Sequence, residues 1–319
     1  MPPTKSIVTV GEILVEFVSH ERNCGLERVA RYSGPYPSGA PAIFLDQAAR
    51  MGARAQLIGG VGDDGFGRSV LERLRTDGVG TEGITVSPDH ATGVAFVSYY
   101  NSGERTFIFH LPGTAADRFA IPLAKLRADD TILHVSASSL GAPSLREKIM
   151  EAVDAVSDAG GMISCDPNAR PELMRDAAAK AAVMDVVGRS TYVLPSISDL
   201  QFLYPDMSED TAIAHLLENG AQIVAVKRGD KGATVIGPDG PYEYDAHRVD
   251  EVDPTGAGDC FCGTLMALLA QGVPLQEAGR QANAAGAIAV TRLGPMEGNS
   301  TPQEIAAFLA HADQPGLSA

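Results

Sequence analysis

Cysteine is scarce in this sequence. The four residues Cys24, Cys165, Cys260 and Cys262 are too few for a disulfide scaffold, and the C-x-C spacing of the last pair does not match the usual zinc patterns. Positive charge is also short: 25 Lys and Arg stand against 40 Asp and Glu, a net charge of −15. A nucleic-acid binder is expected to carry a basic face, so the acidic balance is read as solubility. Long hydrophobic runs are missing. The longest apolar stretches, within 263–270 and 284–290, fall well short of the roughly 20 residues that a membrane span needs. The opening MPPTKSIVTVGE has one lysine and no long apolar core, so it does not read as a secretory signal, and a cytoplasmic location is expected. Three catalytic signatures are absent as well: G-x-x-x-x-G-K-[ST], G-x-S-x-G and H-E-x-x-H.

What is present is a globular composition. Hydrophobic residues make up 45 % and charged residues 20 %, which excludes a disordered chain. Gly and Pro show no Gly-X-Y period, which excludes a collagen-like one. Neither a repeat nor a low-complexity linker divides the 319 residues. Short β-branched runs at 6–10, 55–59, 131–136, 162–166, 192–194, 223–227 and 234–236 alternate with helical patterns at 41–51, 66–75, 144–158, 175–188, 212–218, 256–271 and 275–292. This alternation predicts parallel βαβ units. One region breaks it. Segments 94–100 and 106–111 flank turn chemistry at residues 101–103 and read as a hairpin. With 13–18 and the segment around Tyr32, the hairpin predicts a small extra sheet. Its expected place is as a lid over the C-terminal edge of the main sheet, where open α/β folds bind ligands.

The sharpest stretch is Asp253-Pro-Thr-Gly-Ala-Gly-Asp259, which opens an apolar helical run. Backbone N–H groups of Gly256, Ala257 and Gly258 at a helix mouth favour an anion. An aspartate in that turn, Asp259, can accept a proton from a hydroxyl attacking phosphorus. Read locally, the same residues also make a plain Gly-rich turn with a first-turn acid. A second glycine cluster, Gly60–Gly65, fits G-x-G-x-x-G between a strand and a helix. There the Asp63-Asp64 pair would repel a pyrophosphate, which argues against dinucleotide binding.

These motifs, in this order, resemble the ribokinase-like sugar kinases of the PfkB family over nearly the whole chain. The resemblance is carried by Gly11-Glu12, by Ser38-Gly39-Ala40-Pro41-Ala42, by the Gly59–Gly67 cluster, by Asp166-Pro167-Asn168-x-Arg170-Pro171, by Lys227-Arg228-Gly229-x-x-Gly232, by Asp253–Asp259 and by 287–294. It implies a single kinase domain over 1–319, with a mostly parallel central sheet flanked by helices and lid elements near 12–36 and 93–112. The implied activity is ATP-dependent phosphorylation of a sugar hydroxyl, with Mg²⁺ and K⁺ as expected ions and Asp259 as general base. It also implies a scaffold turn beside the sugar site at Gly59–Gly67. Glu16, Gly39, Arg105 and Arg170 are the implied sugar contacts. Glu16 reads equally as a solvated acid on a lid strand, and Arg105 as an exposed hairpin cation. Lys227, Gly229, Gly232, Asn283 and Ala287 are expected to flank the nucleotide. Asp253, with carbonyls near Val290 and Gly294, is the implied monovalent-cation site, although plain helix-terminal structure also explains it. Pairing of two copies through the lid is a further expectation.

Two departures from the family pattern stand out. Ile43 replaces an expected Asn. Ser196-Ile197-Ser198-Asp199 replaces Asn-x-x-Glu, which leaves Asp199 as the candidate acid on the Mg²⁺ side. Residues 109–115, Phe-His-Leu-Pro-Gly-Thr-Ala, supply no arginine or lysine where acid-sugar kinases carry a cation. A neutral ketohexose of the fructose or tagatose type is therefore the expected substrate. An acidic keto-sugar such as 2-keto-3-deoxygluconate, a pentose or a nucleoside is the alternative within the same fold. A non-catalytic sugar or nucleotide sensor is the rival class, and the intact Asp259 speaks against it.

Overall fold

The computed structural model describes residues 5–102, 104–126, 128–169, 174 and 176–312. In chain order the strands are β1 (Ser6–Val10), β2 (Leu14–Ser19), β3 (Tyr32–Ser38), β4 (Arg54–Gly62), β5 (Gly80–Ser87), β6 (Gly93–Tyr99), β7 (Arg105–His110), β8 (Thr131–Ser136), β9 (Met162–Asp166), β10 (Tyr192–Val193), β11 (Ile223–Lys227), β12 (Ala233–Gly237) and β13 (Gly240–Tyr244). The helices are α1 (Ala40–Arg50), α2 (Gly65–Thr76), α3 (Leu123–Leu126), α4 (Pro143–Asp158), α5 (Ala177–Arg189), α6 (Ile197–Leu203), α7 (Glu209–Glu218), α8 (Ala257–Ala270), α9 (Leu275–Ala289) and α10 (Pro302–Ala312). Nine strands form the main sheet in the order β13-β12-β11-β10-β9-β8-β1-β4-β5, and four form a second sheet in the order β3-β2-β6-β7. From β11 to β5 every neighbouring pair is parallel, while β12 and β13 close one edge antiparallel.

The main sheet is covered on both faces, which is why its strands read as β-branched runs rather than polar–apolar alternation. Successive residues of β1 divide between the two cores. Ile7 packs with Leu57, Ile132 and Ala225 against α1, α8 and α9. Val8 and Val10 pack with Leu133, Val135 and Val224 against α4 and α5.

The expected lid is present, built from the four predicted segments, with β2 and β6 parallel at its centre. Several elements differ from expectation. α6 is a seven-residue helix set by a capping box at Ser196 and Asp199, too short for periodicity to reveal. β5 contains Gly80 and Gly83 and is largely half-exposed, so it lacks an apolar run. β13 begins Gly240-Pro241 and lies at the sheet edge. α7 starts three residues early at the Ser208 cap, and α9 ends at Ala289.

Within the Gly59–Gly67 cluster, Gly59–Gly62 are the last part of β4, Asp63 and Asp64 make the turn, and Gly65–Gly67 open α2. A Cβ at Gly60 would lie 2.1 Å from the Ala115 carbonyl oxygen, so glycine is demanded there by close packing. Asp64 caps α2, accepting from Gly67 N–H and from both Thr92 N–H and Oγ1, each at 2.8 Å.

α8 positions the site. Eleven of its 14 residues are buried, Asp259 among them. At Gly263 a Cβ would sit 2.4 Å from the Phe44 carbonyl oxygen, so α1 and α8 are in backbone contact there.

Candidate active site

The chemistry-bearing residues gather at the C-terminal ends of β1, β8, β9 and β11, the edge where an open parallel sheet holds ligands. Glu12 follows β1, Ser138 and Ser139 follow β8, Asp166 ends β9 and Lys227 ends β11. Two cavities meet at this edge. The smaller, of about 60 Å³, lies under the lid and is lined by Glu12, Glu16, Ser38, Gly39, Ser138, Ser139, Thr255 and Asp259, with Leu14, Ile43, Phe107, Phe109 and Leu111 as apolar walls. The larger, of about 780 Å³, is lined by Lys227, Gly229, Gly232, Ala257, Gly258, Phe261, Asn283, Gly286 and Ala287, and by the segment from Asp245 to Glu251. One turn serves both: Thr255 and Asp259 face the first, Pro254, Ala257 and Gly258 the second.

That turn has its shape because Gly256, the N-cap of α8, takes a left-handed φ of 82°. A side chain there would meet the Pro295 carbonyl oxygen at 2.3 Å. No side chain caps the helix, so its first N–H groups keep their capacity for an anion. Lys227 adds positive charge. Its Nζ pairs with Asp166 Oδ2 at 2.5 Å and lies 3.7 Å from the place a Cβ would occupy on Gly258. Burial opposes its charge, but Asp166, Cys262 and Asp199 outweigh that cost and hold the ammonium above its usual range. His134, buried beside Ser164 and stacked on Phe44, is kept neutral first by burial and then by the charge of Lys227.

In the small cavity Glu16 is buried and accepts from Ser38 Oγ at 3.3 Å. It is therefore not a solvated acid. Gly39 lines the same wall, and its φ of 108° brings Cα to within a Cβ's reach of the Glu12 carbonyl. Ile43 adds an apolar patch at the expected Asn position. The Arg105 guanidinium stacks on the Phe107 ring at 5.5 Å, and of the two it is Phe107 that lines the cavity. Strand alternation puts Arg105, Phe107 and Phe109 on one face, with Arg105 at its exposed outer end. Arg170 lies outside the described residues.

All five residues expected at the nucleotide line the larger cleft: Lys227, Gly229, Gly232, Asn283 and Ala287. Asn283 also donates to the Asp245 carbonyl at 2.9 Å, which ties α9 to the outer wall. Asp199, the candidate acid on the Mg²⁺ side, lies in the first turn of α6. Its Oδ2 accepts from Ser196 N–H and Oγ, and its Oδ1 from Ala169 N–H, all at 2.7 Å. Asp253 is fully buried, accepts from Thr255 N–H, Gly294 N–H and the Tyr99 hydroxyl, and lies beside Val290 as expected.

Sequence reasoning missed Glu12 as a site residue. It is buried and accepts from Ser139 Oγ at 2.5 Å. Its only signal was its place just after the first strand. Tyr99, Ser138 and Ser139 were missed too, because their neighbours are more than 100 residues away in the chain.

Known proteins carry the same organisation. The pfkB family carbohydrate kinase pattern matches residues 4–302. A probable fructokinase-4 from Arabidopsis thaliana is 31 % identical, covering 95 % of this chain and 96 % of its own. A provisionally named ribokinase II from E. coli, in complex with ATP and Mg²⁺, superposes with a TM-score of 0.89 at 39 % identity, covering 96 % of this chain and 99 % of its own. A fructokinase double mutant from Vibrio cholerae O395, in fructose, ADP and potassium ion bound form, gives a TM-score of 0.81 at 28 % identity, covering 96 % and 99 %. Two cavities meeting at one helix mouth, in a chain that the family pattern matches over residues 4–302, make this protein a member of the pfkB family of carbohydrate kinases, an ATP-dependent sugar kinase with the ribokinase-like fold.

Proposed function

We propose that this chain is one kinase unit over 1–319, with lid pieces near 12–36 and 93–112, that transfers the γ-phosphoryl group of ATP to a hydroxyl of a neutral ketohexose of the fructose or tagatose type. The observation that carries the reading is the shared turn, with Thr255 and Asp259 on the sugar side and Ala257 and Gly258 on the nucleotide side. Asp259 accepts the hydroxyl proton as the oxygen attacks phosphorus. The Gly256, Ala257 and Gly258 N–H groups and Lys227 stabilise the charge on the transferring group. Glu12 and Glu16 accept hydrogen bonds from the sugar hydroxyls.

The small cavity favours a neutral substrate. Its described lining has three carboxylates, Glu12, Glu16 and Asp259, and no Lys or Arg. A substrate carboxylate held there would lose its water and gain no charge partner. Relatives named fructokinase, and a fructokinase with fructose bound, support the same class.

The residues fit a protein-held metal poorly. Among the described residues there is no group of three His, Cys, Asp or Glu suited to one, and Asp199 is committed to its capping box. Mg²⁺ belongs with the ATP phosphates, as is usual for kinases. Asp253 Oδ1 accepts two hydrogen bonds and Oδ2 one, and no step of the reaction is routed through K⁺. Two copies pairing through the lid fits β7, an edge strand with Ile108 exposed; sedimentation of the chain tests that pairing.

The test of the function is kcat/KM for tagatose, fructose and 2-keto-3-deoxygluconate at equal ionic strength. A neutral ketohexose is expected to lead. A lead for the keto-acid would overturn the substrate class and leave the kinase standing.

A further inference from the structure

The turn that performs the chemistry is held from the lid. Tyr99 is the last residue of β6, in the small sheet. Its hydroxyl nevertheless bonds to Asp253 and Thr255 of the Asp253–Asp259 segment. The phenol is buried, 7 % exposed. As a phenol it donates to the Asp253 carboxylate. Asp253 Oδ1 takes the Tyr99 hydroxyl and, at 2.9 Å, the Thr255 N–H, while Oδ2 takes the Gly294 N–H at 2.9 Å. One carboxylate thus joins the lid, the catalytic turn and the loop after α9. Thr255 lines the sugar cavity, and the next residue is the left-handed Gly256 that launches α8.

We propose that Tyr99 is a positioning residue that transmits the seating of the lid to the phosphate-binding turn. β6 pairs directly with β2, where Ala95 lies opposite Glu16. A sugar hydroxyl held by Glu16 therefore braces the same sheet that carries Tyr99. With the lid seated, Asp253 has all three donors and the N–H groups at the mouth of α8 point at the phosphoryl group. With the lid displaced, a fully buried carboxylate loses one donor, and the turn it holds relaxes. The arrangement links sugar occupancy to phosphate binding and restrains transfer to water while the sugar site is empty. The inference rests on the sugar-kinase reading of the two cavities.

The test is Tyr99→Phe, which removes one oxygen and keeps the ring. Three quantities decide it: kcat and KM with the best sugar of the panel, affinity for AMP and for the ATP analogue AMP-PNP by calorimetry, and Tm. The variant is expected to lose about tenfold in kcat and about tenfold in AMP-PNP affinity, the scale of one hydrogen bond to a charged group. AMP, which does not reach the turn, should bind as before. Unchanged kcat and AMP-PNP affinity would overturn the proposal. Equal losses for AMP and AMP-PNP with a lowered Tm would also overturn it, because that is general loosening. If the wild-type protein turned over none of the sugars, the substrate reading would fail, and the AMP-PNP to AMP comparison would still decide the role of Tyr99.

Discussion

The cavity under the lid encloses about 60 Å³ between carboxylates, serine hydroxyls and the rings of β7, whereas the cleft beyond the turn encloses about 780 Å³ between glycines, alanines, the lysines Lys227 and Lys231, and the segment from Asp245 to Glu251. The first is made of side chains drawn from distant strands and helix ends. The second sets glycines and alanines beside Lys227, Lys231 and Arg248, cations that the first lacks among its described lining. Selectivity against close analogues needs side-chain groups that are left unpaired by the wrong ligand. Accommodating the phosphates of a nucleotide needs N–H groups and space. The two halves therefore divide the work, the lid side discriminating and the far side cradling.

The largest effect should come from the residue on the border. Asp259→Asn is expected to lower kcat by about 10²–10⁴-fold, the usual cost of losing a general base. AMP-PNP affinity should survive, because the large cleft is untouched. Near-normal kcat would return Asp259 to the role of a first-turn acid.

Gly258→Val should act on the nucleotide side alone. A Cβ at this position meets only Lys227 atoms, at 3.7–3.9 Å, so the fold tolerates it. The branched side chain nonetheless stands where phosphate approaches, and a loss in kcat/KM for ATP on the order of 10²-fold is expected. A fall in Tm with normal ATP kinetics would show the turn to be structural only.

Glu16→Gln tests the sugar side. It keeps the shape beside Ser38 and removes the charge, and KM for the sugar should rise about tenfold, as for one charged hydrogen bond lost. An unmoved KM for the sugar would take Glu16 off the list of sugar contacts.

The smallest effect on activity should come from Asp46, which lines neither cavity. It lies in α1, accepts from Asn299 Nδ2 at 2.6 Å, and faces Arg73. Burial pushes its carboxyl up to about 7, with Arg73 opposing. A carboxyl raised in the folded state favours folding while protonated. Its contribution is whole below about pH 3.8 and is lost as pH rises towards about 7. Neighbouring Asp77 is shifted downwards through Arg73 against its own burial, so its opposite effect is confined to more acid pH. Asp46→Asn should therefore flatten the decline of Tm between about pH 4 and 7, with kcat unchanged. An unaltered Tm slope would contradict the assignment.

The two cavities also differ in how far the sequence discloses them. The nucleotide side is contiguous in the chain. Lys227, Gly229 and Gly232 fall within six residues, and Ala257 to Asp259 within three, so local motifs carry them. Even there the Asp245–Glu251 wall is invisible, because it has no secondary structure and no motif. On the sugar side Glu16 and Gly39 are legible from the family pattern. Glu12 gains its meaning only from Ser139, 127 residues later, and Tyr99 only from Asp253, 154 residues later. At Arg105 a hairpin position alone does not say how far along the strand the cavity extends. The parallel core was legible for a physical reason: strands buried on both faces must be apolar throughout. The edge strands β5 and β13, under no such demand, were not.

The burial of α8 has a further consequence. The helix that carries Asp259, the proposed general base, is also a central pillar of the interior, pressed against α1 at Gly263 so closely that a methyl group does not fit. Catalytic alignment is thus inherited from the packing of the whole domain rather than adjusted by a local loop. Changes at Gly263, Cys262 or Phe44, which touch no sugar, would tilt the helix mouth and disturb the reaction as they loosen the fold. At these positions heat tolerance and turnover are expected to change together. Variants selected for one trait would be expected to carry changes along this helix that alter the other.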